Sequence, residues 1–204
     1  MNVVLASNNP GKLAELKVLL VPLGVTLHAQ AELGIADADE TASTFIENAL
    51  IKARHAAAAT GWPAVADDSG LVVNALGGAP GVRSARYAGI GADANANNRA
   101  LIDALRGIAD RRAYFYCALV FLRHHADPAP LIATADWAGQ IVDAPQGNLG
   151  SGYDPHFCID GTTETAAQLS TELKNRISHR GRAATALVAS IRDAQLEFGA
   201  LPPA

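Results

Sequence analysis

Short apolar runs bounded by polar turns alternate along the chain with longer stretches in which apolar residues recur every three or four positions. NVVLA, residues 2–6, predicts a buried first strand, and SNNPG its turn. KLAELKVLLVPLG places leucines at 13, 16, 19, 20 and 23, a helical stripe. VTLHA predicts a short second strand. DETASTFIENALIKARHAAAATG carries Thr44 and Glu47 at capping-box spacing and stops at Gly61, which predicts a helix of about four turns. PAVA and LVVNAL are β-type runs on either side of an acidic pair, and ADANANNRALIDALRG predicts a helix ending at Gly107.

Beyond that helix the texture changes. RAYFYCALVFLRHH and PLIATADWAGQIVD are long and β-rich, and HADPA between them is hairpin chemistry. Both faces of YFYCALVFL are apolar, so this strand is expected at the centre of a sheet, covered on two sides. NLGSGYDPHF reads as a glycine loop, and residues 165–196 as closing helices. Strand, helix and hairpin signals mix, which predicts an α/β protein with a mixed β-sheet flanked by helices. The last residues, 199–204, are expected to be a disordered tail.

Composition narrows the class. With 204 residues, 50% of them apolar, the chain can bury a real core as one domain or two tightly joined lobes. The net charge of −4 is scattered, with no basic block, so a nucleic acid polymer is not expected as a partner. Cys117 and Cys158 lie far apart in apolar surroundings and read as reduced core residues of a cytoplasmic protein. No apolar segment approaches the roughly 20 residues that span a bilayer, and no membrane partner is expected.

Candidate chemistry sits where these elements join. In SNNPGK, residues 7–12, a strand, a polar turn and a helix start with a lysine make an anion site: free backbone N–H groups and the Lys12 ammonium point where a phosphate would sit. It is not a Walker A loop, because the first glycine is missing and Leu13 stands where that motif has a magnesium-binding hydroxyl. Asp67 and Asp68 point to opposite faces if they lie on a strand, so one can be structural while the other enters a site. Buried carboxylates need compensation, and Mg²⁺ takes one or two of them. Asp39 and Glu40 precede a helix, where they suit its dipole or a metal. GSGYDPHF offers a tyrosine and an aspartate, and ELKNRISHRGRA gathers Lys174, Arg176, His179, Arg180 and Arg182, with Ser178 as N-cap. Singly, these residues equally fit a polar turn with a surface lysine, a pair of turn aspartates and a solvated helix face.

Together, SNNPGK, DETASTFIENALIKARHA, ADDSGLVVNALGGAPGVRSARYAG, GYDPHF and ISHRGRA resemble, in order and over residues 2–191, the inosine/xanthosine triphosphate pyrophosphatase family. The resemblance implies an elongated mixed α/β fold of two lobes around a central substrate cleft, so that 1–198 would be one catalytic domain. It also implies a homodimer and Mg²⁺-dependent hydrolysis of ITP, dITP and XTP to the monophosphate and pyrophosphate. Carried onto this chain, Ser7, Asn8, Asn9, Pro10, Gly11 and Lys12 would hold the triphosphate. Asp68 would be general base and metal contact, Glu40 a second metal contact and Asp67 structural. Ser69 would touch substrate, and Ser151, Gly152, Tyr153, Asp154, Lys174, His179 and Arg180 would surround the nucleoside. Where the family commonly has an aromatic, this chain has Ser151, so base stacking would be lost or fall to Tyr153 alone. Arg83 and Arg86 are expected to brace the loop after GGAPG. Two alternatives are a related pyrophosphatase of different nucleotide specificity, and a purine nucleotide sensor that binds without hydrolysis.

Overall fold

The structure, a computed structural model, describes residues 1–198; the expected disordered tail, 199–204, lies outside the described residues. Strands β1 (Asn2–Leu5), β2 (Thr26–Ala29), β3 (Ala64–Val73), β4 (Arg112–Leu122), β5 (Leu131–Ile141) and β6 (Phe157–Ile159) form one sheet in the order β2-β1-β3-β4-β5-β6. β1 runs parallel to β2, with Val4 opposite His28, and parallel to β3, with Leu5 opposite Val65. β5 and β6 are antiparallel, with Gln140 opposite Cys158. The sheet is therefore mixed. Its helices are α1 (Pro10–Leu20), α2 (Phe45–Thr60), α3 (Ala94–Ala104), α4 (Thr171–Ile177) and α5 (His179–Phe198).

The patterning explains most of these elements. β4 lies inside the sheet, and its second half is buried on both faces, as its unbroken apolar run demands. β5 instead alternates, burying Ala133, Trp137 and Ile141 on one face. α2 starts at the Thr44 cap, whose side chain accepts from the Glu47 amide at 3.2 Å, and it ends at Gly61. The two β-type runs PAVA and LVVNAL, on either side of the acidic pair, are not separate elements. Ala64–Val73 form a single ten-residue strand, β3, that runs straight through Asp67 and Asp68. The three-residue edge strand β6 was not anticipated. Its neighbours are glycine loop and turn residues, and its extended form comes from pairing with β5 on one side and a bridge from Cys158 to Thr165 on the other.

By packing, the chain divides into two compact units. The first holds Met1–Asp68, Ala118–Thr134 and the described residues from 182 to 198; the second holds Ser69–Cys117 and Ala135–Gly181. Their cores differ in kind. In the first, Ala49, Ala53, Ala56 and Ala57 form one face of α2 and meet Val4 and Ala66. Small side chains at these spacings let the helix backbone lie close to the strands. In the second, Phe115, Trp137, Tyr153 and Phe157 fill the interior with Leu71 and Leu101. Cys117 and Cys158 are buried and form no disulfide with each other. Among the described residues, no helix is long and apolar enough to cross a membrane.

The loop joining β4 to β5 is organised by Asp127. Its carboxylate accepts from the Arg123 amide (3.0 Å), the Arg123 Nε (2.8 Å) and the Ala129 amide (3.0 Å). Burial alone would raise the Asp127 carboxyl, but these hydrogen bonds and the Arg123 charge hold it well below the usual carboxylate range. A carboxyl depressed in the folded state contributes stability above its unfolded value near 4, and that contribution is lost as pH falls through the folded value. Asp127→Asn should therefore destabilise the protein at neutral pH by roughly 1–3 kcal/mol. Urea unfolding at pH 7 and pH 3 checks this: the difference between wild type and variant should shrink at the lower pH.

Candidate active site

The acidic pair is held by two helices of the first unit. Asp67 and Asp68, 2% and 8% exposed, leave β3 on opposite faces. Asp67 receives the Lys12 ammonium, from the first turn of α1, at 2.7 and 2.8 Å. Asp68 meets α2. Lys52 Nζ lies 3.1 Å from its Oδ1, and the Asn48 amide donates to its Oδ2 at 3.3 Å. Asn48 and Lys52 are four residues apart, so one helix face presents both. Asn48 is itself fully buried, with its amide oxygen accepting from the Ala42 N–H at 3.0 Å. Like charges can therefore stay adjacent on a buried strand, because each has its own ammonium partner.

Lys52 also reaches Glu40, at 2.7 Å, and so joins Glu40 to Asp68. Asp39 is exposed. Burial pushes the Asp68 carboxyl up from its ordinary value, and the Glu40 charge adds to this against the opposing pull of Lys52 and Asn48. Burial would lower Lys52, but Asp68, Glu40 and Asp67 outweigh it and raise the ammonium, so Lys52 stays charged. The result is a fixed cation beside a carboxylate whose proton affinity is raised, which suits a general base. Lys52 and Asn48 lay within a quoted motif but received no role from the sequence. Their only signal was two polar residues at helical spacing on an alanine-rich face.

The turn at residues 7–12 is more tightly tied than its sequence suggests. Asn9 caps α1, its side chain accepting from the Gly11 amide at 2.9 Å and the Lys12 amide at 3.2 Å. Those N–H groups are thus already engaged, a correction to the expectation of free helix-terminal amides. Asn8 donates to Asp37 at 2.9 Å, Ser7 Oγ accepts from the Asn9 amide at 3.2 Å, and Pro10 opens the helix. Asn8, Asn9, Pro10 and Gly11 are exposed, with Ser7 and Lys12 half-buried.

Among the described residues, no group of three or more His, Cys, Asp or Glu side chains could enclose a metal ion. The donor set nonetheless fits Mg²⁺, which needs only one or two carboxylates. On the Asp68 side of β3, two carboxylates, Glu40 and Asp68, face one ammonium group, Lys52, which leaves a net negative charge.

The remaining candidates lie in the second unit, which Ser69 opens, half-buried on β3. Asp154 accepts from the Ser151 amide at 2.6 Å and forms an ion pair with Lys174. Gly150 makes this loop possible: its φ is +78°, and a Cβ there would overlap the Asp154 carboxylate. Gly152 also has a positive φ, +62°. His179 is buried at the start of α5, its ring stacked on Phe115 at 4.9 Å and 10°, with Trp137 beyond. Ser178 caps that helix, accepting from the Gly181 amide at 3.4 Å, with Arg180 half-buried beside it. Tyr153 differs from expectation. It is 4% exposed within the aromatic core and donates its hydroxyl to the Ser84 carbonyl at 2.8 Å. Its ring is a structural filler and leaves no open face to replace the aromatic missing at Ser151. Arg83 is exposed on its turn.

The Ham1 family profile matches residues 3–190. The chain is 57% identical to the dITP/XTP pyrophosphatase of Nitrosomonas europaea over 186 residues, covering 91% of this chain and 92% of that one. It is also 57% identical to the dITP/XTP pyrophosphatase of Burkholderia pseudomallei over 192 residues, covering 93% and 92%. Among solved structures, a HAM1 protein from Coxiella burnetii superposes with a TM-score of 0.92 at 46% identity, over 95% of this chain and all of that one. With its motifs, its mixed sheet and its similarity to these relatives all in agreement, the chain belongs to the Ham1 family.

Proposed function

We propose that this protein is a nucleoside-triphosphate pyrophosphatase that removes non-canonical purine nucleotides, dITP, ITP and XTP, as the monophosphate and pyrophosphate. The observation that carries the reading is the Asp68–Lys52–Glu40 arrangement, in a chain 57% identical to proteins named dITP/XTP pyrophosphatase. Asp68 takes a proton from water as the water oxygen bonds to the α-phosphorus. The bond from that phosphorus to the bridging oxygen breaks, and pyrophosphate leaves with the electron pair. Lys52 and Asn48 fix the carboxylate that accepts the proton, and Lys12 with the Ser7–Gly11 turn holds the phosphates. Mg²⁺, held by Asp68 and Glu40, would offset negative charge on the triphosphate. Asp67 keeps Lys12 in place.

Hypoxanthine and xanthine carry a carbonyl oxygen at position 6, an acceptor. Lys174, His179 and Arg180 supply donors, which adenine's amino group cannot satisfy. A site built on such bonds can reject an analogue lacking the group by roughly 10⁴-fold. The reading also makes the protein a cytoplasmic homodimer.

Pyrophosphate release in Mg²⁺ from dITP, XTP, dATP and dGTP tests this. Fast release from the first two and little from dATP is expected; dGTP shares the 6-carbonyl, so its rejection would have to act on its 2-amino group. Equal rates on all four would overturn the base-selection argument, and no release from any would overturn the enzymatic reading.

A further inference from the structure

Two adjacent asparagines on α3, Asn97 and Asn98, are 5% and 8% exposed and have no part in the chemistry above. Consecutive helical residues point about 100° apart, so each reaches a different segment. Asn97 clamps the stretch that follows the turn at residues 81–86: its amide oxygen accepts from the Ala88 N–H at 2.8 Å and its amide nitrogen donates to the Ala85 carbonyl at 3.1 Å. Asn98 donates to the Gly152 carbonyl at 2.9 Å, across 54 residues of sequence.

The two clamped segments are also tied to each other. Tyr153, next to Gly152, donates its hydroxyl to the Ser84 carbonyl at 2.8 Å. Burial, with Tyr87 nearby, pushes that phenol well above its ordinary value, so it remains a donor. Ser84 in turn donates its hydroxyl to the Gly81 carbonyl at 2.7 Å and accepts from the Leu71 amide at 2.9 Å. One closed circuit therefore links α3, the 81–88 segment, β3 two residues beyond Ser69, and the loop holding Ser151–Asp154. Asp154 is the residue that receives Lys174.

We propose that Asn98 is a positioning residue for base recognition. Its amide fixes Gly152, and through Gly152 the Tyr153–Asp154 segment against which Lys174 is held. This rests on the reading of Lys174 as a donor to the base. An amide is the required chemistry, because the partner is a carbonyl. Aspartate is the same size but would set a charged acceptor against that carbonyl, and alanine would leave it without its donor. The circuit has no link to the water-activating Asp68 carboxylate through these bonds. Loosening it should weaken base binding and selection while sparing the chemical step.

The experiment is steady-state pyrophosphate release by Asn98→Ala, Asn98→Asp and Tyr153→Phe, each with dITP and dATP and each with a thermal melt. Tyr153→Phe removes only the hydroxyl at the far end of the same circuit, so it keeps the test open if an Asn98 variant fails to fold. The expected result is a dITP KM raised about tenfold, the scale of one lost buried hydrogen bond. kcat should stay within about twofold, and the dITP preference over dATP should fall. A merely structural role would lower the melting temperature and the amount of active enzyme but leave KM and base preference unchanged in the folded fraction. That result in the folded variants, or a loss confined to kcat, would overturn the proposal. A wild-type protein that releases no pyrophosphate from dITP would instead overturn the functional reading beneath it.

Discussion

Asp68→Asn should reduce pyrophosphate release from dITP by about 10³-fold or more, the upper range of what a positioned base contributes. Asparagine keeps the size and the polar character of the side chain, so Asn48 still has an oxygen to donate to and Lys52 still has Glu40 at 2.7 Å. What disappears is the proton acceptor. Its burial and its proximity to Glu40 raise its proton affinity, and that gain is lost with the carboxyl. If Mg²⁺ is held as proposed, its site loses one of two carboxylates; more metal would refill that site but would not replace the proton acceptor, so raising the metal concentration should not restore the rate. Stability should change little, because the substitution also relieves the repulsion between positions 40 and 68. Pyrophosphate release measured beside a thermal melt checks both halves. A variant that keeps more than about a tenth of wild-type activity would show that another group takes the proton.

Gly181→Ala should be the most damaging single-methyl change outside that site, costing roughly 3 kcal/mol or more. A Cβ at 181 would overlap the Asn175 carbonyl oxygen and crowd its carbon at 2.6 Å. Both are backbone atoms, so no side-chain rotation relieves them. Glycine here lets the first turn of α5 approach the backbone of α4 closely enough for Ser178 to bridge the two as a cap. His179 and Arg180 sit in that same turn, so a displaced turn should also weaken substrate binding. For a chain of this size the melting temperature should fall by roughly 6–12 °C. A melt within about 2 °C of wild type would mean that α4 and α5 separate without cost.

The contrast between these two positions shows what could be read from the chain alone. Asp68 stood out because a charge beside an apolar run is conspicuous in any listing of residues. Gly181 did not, because its importance lies in the Asn175 carbonyl, a neighbour brought close only by the turn between two helices. The strand and helix periods placed β1, α1, α2, α3, β4 and β5, since these elements bury one face or two and their apolar spacing records it. β6 is not legible for the converse reason: three residues carry no period, and only their tertiary pairings, with β5 and with Thr165, make them a strand.

The sequence by itself determined the mixed α/β class and the order of the motifs, because side-chain alternation and helical spacing are local rules. Tertiary structure decided the partners. Only folding showed that β3 runs unbroken through the acidic pair, since that depends on Lys12 and Lys52 arriving from two helices to neutralise it. Only folding assigned the helix-terminal amides to Asn9 and turned Tyr153 inward, because a donor's partner is set by which acceptor is nearest in space. Spacing along the chain does not encode that distance.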